Sequence, residues 1–322
     1  MILVTGGTGF IGRALVRQLK AAGYEVRILI RPSAQSPAIP IGEPVNVALS
    51  TLDDRRGLLT AMSGVDTVCH LASAEWQGSY ANLERIDIQG TSRVAEAAAQ
   101  AGVRRIVYVS HLGADRASAF PVLKAKGIAE EHIRNSGIPY TILRSGILFG
   151  PGDAFTTGLG WLLFASPLAF LLPNEGNALL QPLAVEDLAT AIVWLLQSAP
   201  EDSRTYEIGG NEYISLRQAA SIVMDALGRR RPFVNVPLPV LRGLTVFLES
   251  LFPHLPVSAY WLDYFSANRT CSLDTLPRQF QLLPQRFSPP GLTYLRNVRW
   301  GRFLWHTLGR RKGEIAERPK AR

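Results

Sequence analysis

Short apolar runs alternate with amphipathic stretches through the first half of the chain. Runs at 2–5, 25–30, 67–71, 105–110 and 140–143 read as strands, while 10–22, 88–101 and 124–135 carry apolar residues at helical spacing. The strands are nearly unbroken in their apolar character, as in a sheet buried on both faces, so the order predicts parallel strands with helices above and below. Gly102-Val103 supplies the stop and re-entry after an alanine-rich helix. Beyond about residue 149 the register changes, with Gly and Pro breaks and separate helices at 185–196, 216–227 and 240–251. The expectation is an α/β fold, a doubly wound parallel sheet with a smaller, mostly helical C-terminal lid over its open end. Its parts run over 1–150 (core), 151–295 (lid, interleaved with the last core elements) and 296–322 (a basic aromatic tail).

The first strand leads straight into Gly6-Gly7-Thr8-Gly9-Phe10-Ile11-Gly12, and a helix begins at once. Glycine permits turn angles and a close backbone approach that a side chain blocks, and the free N–H groups of the helix then face an anion. The strand before and the helix after give the G-x-x-G-x-x-G spacing its meaning as a dinucleotide fingerprint. The fold is therefore expected to be of Rossmann type, with Gly6, Gly9, Phe10, Ile11 and Gly12 around a pyrophosphate. Arg31-Pro32-Ser33 ends the second strand, where an acid would grip a ribose 2′-hydroxyl. The Arg31 guanidinium and Ser33 hydroxyl suit a 2′-phosphate instead, so NADP(H) is expected in preference to NAD(H).

At 322 residues and 47% hydrophobic content the chain can bury a substantial core. No apolar run reaches the roughly 20 residues of a membrane span; the stretch 155–173 comes nearest before Ser166 and Pro167 break it. The chain starts directly in strand without a signal-peptide pattern, and its two cysteines make no disulfide framework, which points to a cytoplasmic protein. Cys69 and His70 are neighbours on a strand and point to opposite faces, so no metal site is expected there. The net charge of +8 gathers partly in Arg296, Arg299, Arg302, Arg310, Arg311 and Lys312, interleaved with Trp300, Phe303 and Trp305. That pattern suits a solvated basic tail or peripheral contact with anionic lipid or a membrane complex; no nucleic-acid reader motif accompanies it.

Further segments arrive in order along the chain: Gly64-Val65-Asp66-Thr67-Val68-Cys69-His70-Leu71-Ala72-Ser73, Ile106-Val107-Tyr108-Val109-Ser110, Tyr140-Thr141-Ile142-Leu143-Arg144 and Gly150-Pro151-Gly152-Asp153. By these the chain resembles the extended or atypical short-chain dehydrogenases/reductases, epimerase/dehydratase-like proteins, over residues 1 to about 227. Gln181-Pro182-Leu183-Ala184-Val185-Glu186-Asp187 and Tyr206-Glu207-Ile208-Gly209-Gly210 are similar to the branch that holds the nucleotide-binding accessory subunit of respiratory complex I and its bacterial relatives. The resemblance implies that Leu71, Ala72 and Ser73 pass beneath the adenosine side and nicotinamide ribose, and that Ser110 stands beside the nicotinamide. It implies an adenine contact near Thr51-Leu52, where relatives often carry an acid. It also implies a Tyr-x-x-x-Lys pair, in which the lysine holds the ribose and lowers the tyrosine pKa.

That pair departs from the pattern here. Lys126 takes the lysine position, but Val122 stands where the tyrosine belongs, and Phe120, the only nearby aromatic in the sequence, has no hydroxyl. General acid catalysis contributes about two to four orders of magnitude, so simple carbonyl reduction would suffer, whereas a quinone or conjugated enone spreads its charge and depends on the proton less. Ser110, Lys126 and His111 are the catalytic candidates, with Lys124 nearby and Trp76 and Tyr80 in reach of a ligand. Tyr108 is expected in the core, and Glu130-Glu131 on a solvated helix face. The apolar stretch from Phe155 to Leu171 borders the expected substrate cleft or packs as a buried helix. The first expectation is thus an NADP(H)-dependent oxidoreductase for a lipophilic conjugated acceptor. The alternative is a non-catalytic NADP(H)-binding accessory, assembly or sensor protein. Sugar-nucleotide epimerisation also needs the tyrosine and is set aside.

Overall fold

The computed structural model describes residues 1–32, 45–198, 202–252 and 255–309. Strands β1 (Ile2–Thr5), β2 (Val26–Ile30), β3 (Asn46–Leu49), β4 (Thr67–His70), β5 (Arg105–His111) and β6 (Tyr140–Ser145) form the main sheet. Three further pairs of short strands lie outside it: β7 (Leu148–Phe149) with β10 (Leu183–Ala184), β8 (Phe170–Pro173) with β13 (Phe233–Val236), and β9 (Leu179–Leu180) with β12 (Ile214–Ser215). The last main strand is β11 (Arg204–Ile208), and the sheet order is β11-β6-β5-β4-β1-β2-β3, parallel throughout. The order reverses between β1 and β4, and in such sheets the crevice at the carboxyl ends of that pair takes the ligand.

Helices α1 (Phe10–Ala21) and α6 (Val185–Ser198) cover one face, where Leu15, Leu19, Leu188 and Ile192 close over Val4, Ile28 and Val107. On the other face α2 (Arg55–Ala61), α3 (Gly90–Gln100) and α4 (Pro121–Arg134) bury Leu3, Val68, Ile106, Tyr108 and Ile142. This is the doubly wound arrangement the unbroken apolar strands predict, since the central strands have helices on both sides. Two elements carry too little pattern to predict: β3 is an edge strand with Leu49 68% exposed, and α2 is only two turns long, capped by the Asp54 carboxylate on Gly57 N–H. The helix expected from 88 begins earlier, as a π-helical turn at Glu84–Gln89, and α4 starts at Pro121, whose missing N–H costs nothing at a helix start.

A second core unites α5 (Phe155–Ala165), α7 (Leu216–Leu227), the turn Pro289–Asn297 and α11 (Trp300–Gly309). The stretch from Phe155 to Leu171 is largely its interior: Phe155, Leu159, Trp161 and Leu163 are buried, and the Trp300 ring lies so close on Gly160 that a Cβ there would sit 2.3 Å from it. The remaining C-terminal helices are α8 (Leu238–Leu251), α9 (Ala259–Tyr264) and α10 (Thr275–Phe280). Of these, α9 packs on the segment that follows β4, which brings the C-terminal portion to the open end of the sheet. No helix among the described residues is long and apolar enough to cross a membrane.

Candidate functional site

At the end of β1 the chain turns through Gly6 at φ +69°, where a Cβ would lie 2.8 Å from the backbone of Leu71 and Ala72. Gly12, in the first turn of α1, is tighter still: its Cβ would meet the Gly6 carbonyl at 2.2 Å and Gly7 Cα at 2.5 Å. Gly9 caps the helix, and its N–H donates to the Gly6 carbonyl at 2.9 Å. Phe10 and Ile11 open α1 half-buried. The result is a loop without side chains at its narrowest points, wrapped around the N-terminus of a twelve-residue helix at the switch point of the sheet. Leu71 N–H donates to both the Thr5 carbonyl and its hydroxyl, each at 3.2 Å, so the segment after β4 is tied to the glycine turn.

Arg31 is exposed directly after β2; Ser33 lies outside the described residues. Thr51 is half-buried, and Leu52 packs against Gly90, where a Cβ would sit 2.9 Å from its Cδ1. Below it the Asp53 carboxylate binds both Arg85 and Arg93, which hold it under its ordinary pKa, chiefly through the Arg85 hydrogen bond.

At the other end of the crevice β5 delivers Ser110 and His111, and α4 delivers Lys126. Ser110 is buried and its Oγ has no partner. His111 Nε2 lies 2.7 Å from Glu75 Oε2, while its Nδ1 is buried without a partner. Lys126 Nζ stands 3.3 Å from Asp87 Oδ1, 3.9 Å from Glu75 Oε2 and 5.6 Å from the centre of the Tyr108 ring. Burial works against the Lys126 charge, but Tyr108, Glu75 and Asp87 outweigh it and lift its pKa above the ordinary value. Asp87 is buried too, accepting from Ser73 Oγ at 2.6 Å and Ala74 N–H at 2.9 Å. Tyr108 is in the core as expected, stacked on His70 at 5.7 Å, and burial raises its pKa. His70 itself is spanned by Thr5 Oγ1 at 2.6 Å and Thr91 Oγ1 at 3.0 Å.

Two sequence expectations need correction. Lys124 points to solvent, because helical spacing turns it away from Lys126. Glu130 is no solvated face residue: it is fully buried, its carboxylate bound by Arg144 at 2.7 and 2.9 Å and by Arg134 at 2.7 Å. The strand β6 presents Arg144 to the helix above it, and only the packing of α4 on the sheet shows that. Trp76 and Tyr80 have side chains outside the described set, as have Arg310, Arg311 and Lys312.

Four residues escaped the sequence reading. Glu75 and Asp87 sit in an irregular segment whose pattern marks neither. Tyr264 and Arg269 come from the C-terminal portion, well over a hundred positions from Lys126. Val122 is one turn before Lys126 on α4, and the crevice beside it is lined by Phe120, Leu123, Tyr260, Asp263 and Tyr264. The Tyr264 ring stands edge-on to His111 with centroids 6.0 Å apart. So the absence of a hydroxyl near Val122 holds only for the local sequence.

The glycine turn that a Cβ would fill, together with the orphaned Ser110 Oγ and His111 Nδ1 at the far end, fits a dinucleotide laid across the switch point. Comparisons with known proteins agree. A family model described as NAD(P)H-binding matches residues 6–158. The chain is 29% identical over 280 residues to the mitochondrial NADH dehydrogenase [ubiquinone] 1 alpha subcomplex subunit 9 of Arabidopsis thaliana, covering 84% of this chain and 69% of that protein. It is 28% identical to the (4-alkanoyl-5-oxo-2,5-dihydrofuran-3-yl)methyl phosphate reductase of Streptomyces griseus, over 84% of this chain and 88% of that one. Its fold is similar to that of an NADPH-dependent quinone oxidoreductase from Escherichia coli complexed with NADPH, at TM-score 0.74 and 20% identity, over 92% of this chain and all of that one.

Proposed function

Because the chain belongs to the NAD(P)-binding, Rossmann-type family of atypical short-chain dehydrogenases/reductases and epimerase-like proteins, we propose that it is an NADP(H)-dependent reductase of a lipophilic conjugated acceptor, of quinone or enone type. In this reading Gly6, Gly9, Phe10, Ile11 and Gly12 hold the pyrophosphate, Arg31 and Ser33 the 2′-phosphate, Thr51 and Leu52 the adenine, and Leu71 to Ser73 the floor of the cleft. When bound, the reduced nicotinamide supplies the two electrons of the reduction. Lys126 positions the ribose, its ammonium held in place by Asp87. Ser110 donates its unpartnered hydroxyl to the acceptor oxygen, and His111, braced by Glu75, borders the same space.

The observation that carries the choice of acceptor is Val122. A valine one turn before Lys126 offers no proton of its own, which favours an acceptor whose added charge is delocalised before it is protonated. The Streptomyces griseus relative supports this, since the name of its substrate describes an alkanoyl group conjugated to an unsaturated ring carbonyl. Fluorescence titration with NADPH and NADH, followed by a short-chain quinone while the reduced-nicotinamide absorbance is recorded, tests the reading. Acceptor-dependent oxidation of NADPH is expected; tight binding without oxidation across quinones and enones overturns it.

One observation favours a second reading, a non-catalytic NADP(H)-binding accessory protein. Helix α8 buries Thr245 and Glu249 while Val240, Leu244, Phe247 and Leu251, spaced along one face, are each 43–60% exposed. Such an inverted helix suits a membrane-complex partner or a bilayer surface, in line with a cytoplasmic protein peripheral at the membrane and with a relative that is a subunit of a respiratory complex. Nucleotide retained through purification and never consumed selects this reading.

A further inference from the structure

We propose that Arg269 and Tyr264 form a carboxylate-binding subsite, so that the acceptor is an amphiphile with a carboxylate head and not a neutral quinone. The inference deepens the reductase reading and rests on it. Arg269 follows the loop after α9 and reaches the carboxyl end of β5: a Cβ on Gly113, at φ +80°, would lie 2.8 Å from its Nη1. Its guanidinium carbon stands 5.6 Å from the centre of the Tyr264 ring and 5.7 Å from that of Phe120, in each case over the ring face.

The Nε and Nη2 atoms of Arg269 are both buried and both lack a hydrogen-bond partner. These two atoms form one edge of the guanidinium, the edge that takes the two oxygens of a carboxylate in parallel hydrogen bonds. Among the described residues no carboxylate pairs with it, and a half-buried cation whose inner edge lacks an anion is costly. Burial alone already draws the Arg269 pKa below its ordinary value, with Tyr264 opposing. The ring under that guanidinium carries a hydroxyl that is likewise buried without a partner, on a residue only 8% exposed, and burial raises the Tyr264 pKa, so it remains a donor.

Geometry also selects the kind of anion. The aromatic faces of Phe120 and Tyr264 border the guanidinium, which favours a flat group lying in its plane over a tetrahedral one. The pyrophosphate cradle is at Gly6 to Gly12, on the other side of the switch point, so the cofactor's own phosphates do not reach this edge. Val122 and Tyr260 line the adjoining crevice, so the carboxylate is followed by apolar body.

The test uses the full chain saturated with NADP+ and two isosteric flat probes, trans-cinnamate and its neutral amide, titrated by calorimetry. Cinnamate is expected to bind about tenfold to a hundredfold more tightly than cinnamamide. Arg269→Gln should remove most of that preference, and Tyr264→Phe should reduce it about threefold. Equal affinity for the two probes, no binding of either, or a preference that survives Arg269→Gln overturns the proposal. Should Arg269→Gln fail to fold, the wild-type ratio and Tyr264→Phe still decide. Failure of NADPH to bind brings down the reductase reading itself, whereas NADPH oxidation by a neutral quinone without any preference for cinnamate overturns the subsite alone.

Discussion

The two ends of the crevice are built in opposite ways. The glycine end is a single run of seven residues whose shape follows from what is missing, since a Cβ at Gly6 or Gly12 would collide with backbone that cannot move. The other end is assembled from side chains on β5, α4, the irregular segment after β4 and the C-terminal portion, and its character is charge and unpartnered polar atoms. In the proposed reading the first end takes the part that all dinucleotides share, and the second takes the part of the site where the acceptor lies. A contiguous end tolerates little change and a composite end can be altered piece by piece.

The largest effect should come from the contiguous end. Gly12→Val places atoms within the space of the Gly6 carbonyl, and NADPH affinity should fall by more than about a hundredfold, with about 3 kcal/mol of stability lost to overpacking. A fluorescence titration and a urea midpoint check both, and unchanged binding would break the contrast. Glu130→Gln separates stability from ligand binding: it leaves Arg144 and Arg134 around a weaker acceptor and should cost about 3 kcal/mol. NADPH affinity should stay within about twofold, because Glu130 belongs to the frame of α4 and β6 and not to the crevice.

Arg31→Asp sharpens the adenosine side. It should weaken NADPH about tenfold to a hundredfold and spare or tighten NADH, since an acid there can grip the ribose 2′-hydroxyl, as two parallel titrations would reveal. Equal losses for both nucleotides would remove Arg31 from the 2′-phosphate. A further effect, confined to acid, concerns His70, whose ring is bound by Thr5 next to the glycine turn. Burial, then the nearby Lys126, draws its pKa to about 3 from the ordinary 6.5. The unfolded chain therefore takes up the proton first as pH falls below 6.5, so this contribution to stability is complete above that value and is lost towards pH 3. Urea midpoints between pH 4 and 8 should decline with acid by up to about 1.4 kcal/mol per pH unit from this group, and His70→Gln should flatten the slope.

Much of the fold could be read ahead because its signals are local. An apolar run, a glycine turn and a helical stripe each fit within a dozen residues, and β1, α1 and β5 lie where their patterns put them. β3 escaped because an edge strand with Val47 and Leu49 exposed carries no burial pattern. Glu130 was misread for the converse reason: helical spacing gives a face, and the partner waiting on that face was Arg144 of a strand that follows ten positions later. In the crevice, Ser110 and Lys126 were singled out by the family resemblance, through the strand end and the lysine position of its Tyr-x-x-x-Lys pair. Asp87, which holds Lys126, did not, since an acid near the start of a helix is unremarkable until its burial is seen.

Sequence by itself determined the doubly wound sheet, the tight glycine turn before the first helix and the absence of a tyrosine one turn before Lys126, for these depend on backbone conformation and on residues within a few turns of one another. Tertiary structure alone decided what stands in the place left by Val122. Tyr264 reaches it, and Arg269 reaches the neighbouring Phe120 and Gly113, only because the C-terminal portion folds back over the carboxyl end of β5, and a long-range contact of that kind is set by the closing of two cores against each other and not by any local preference of the chain.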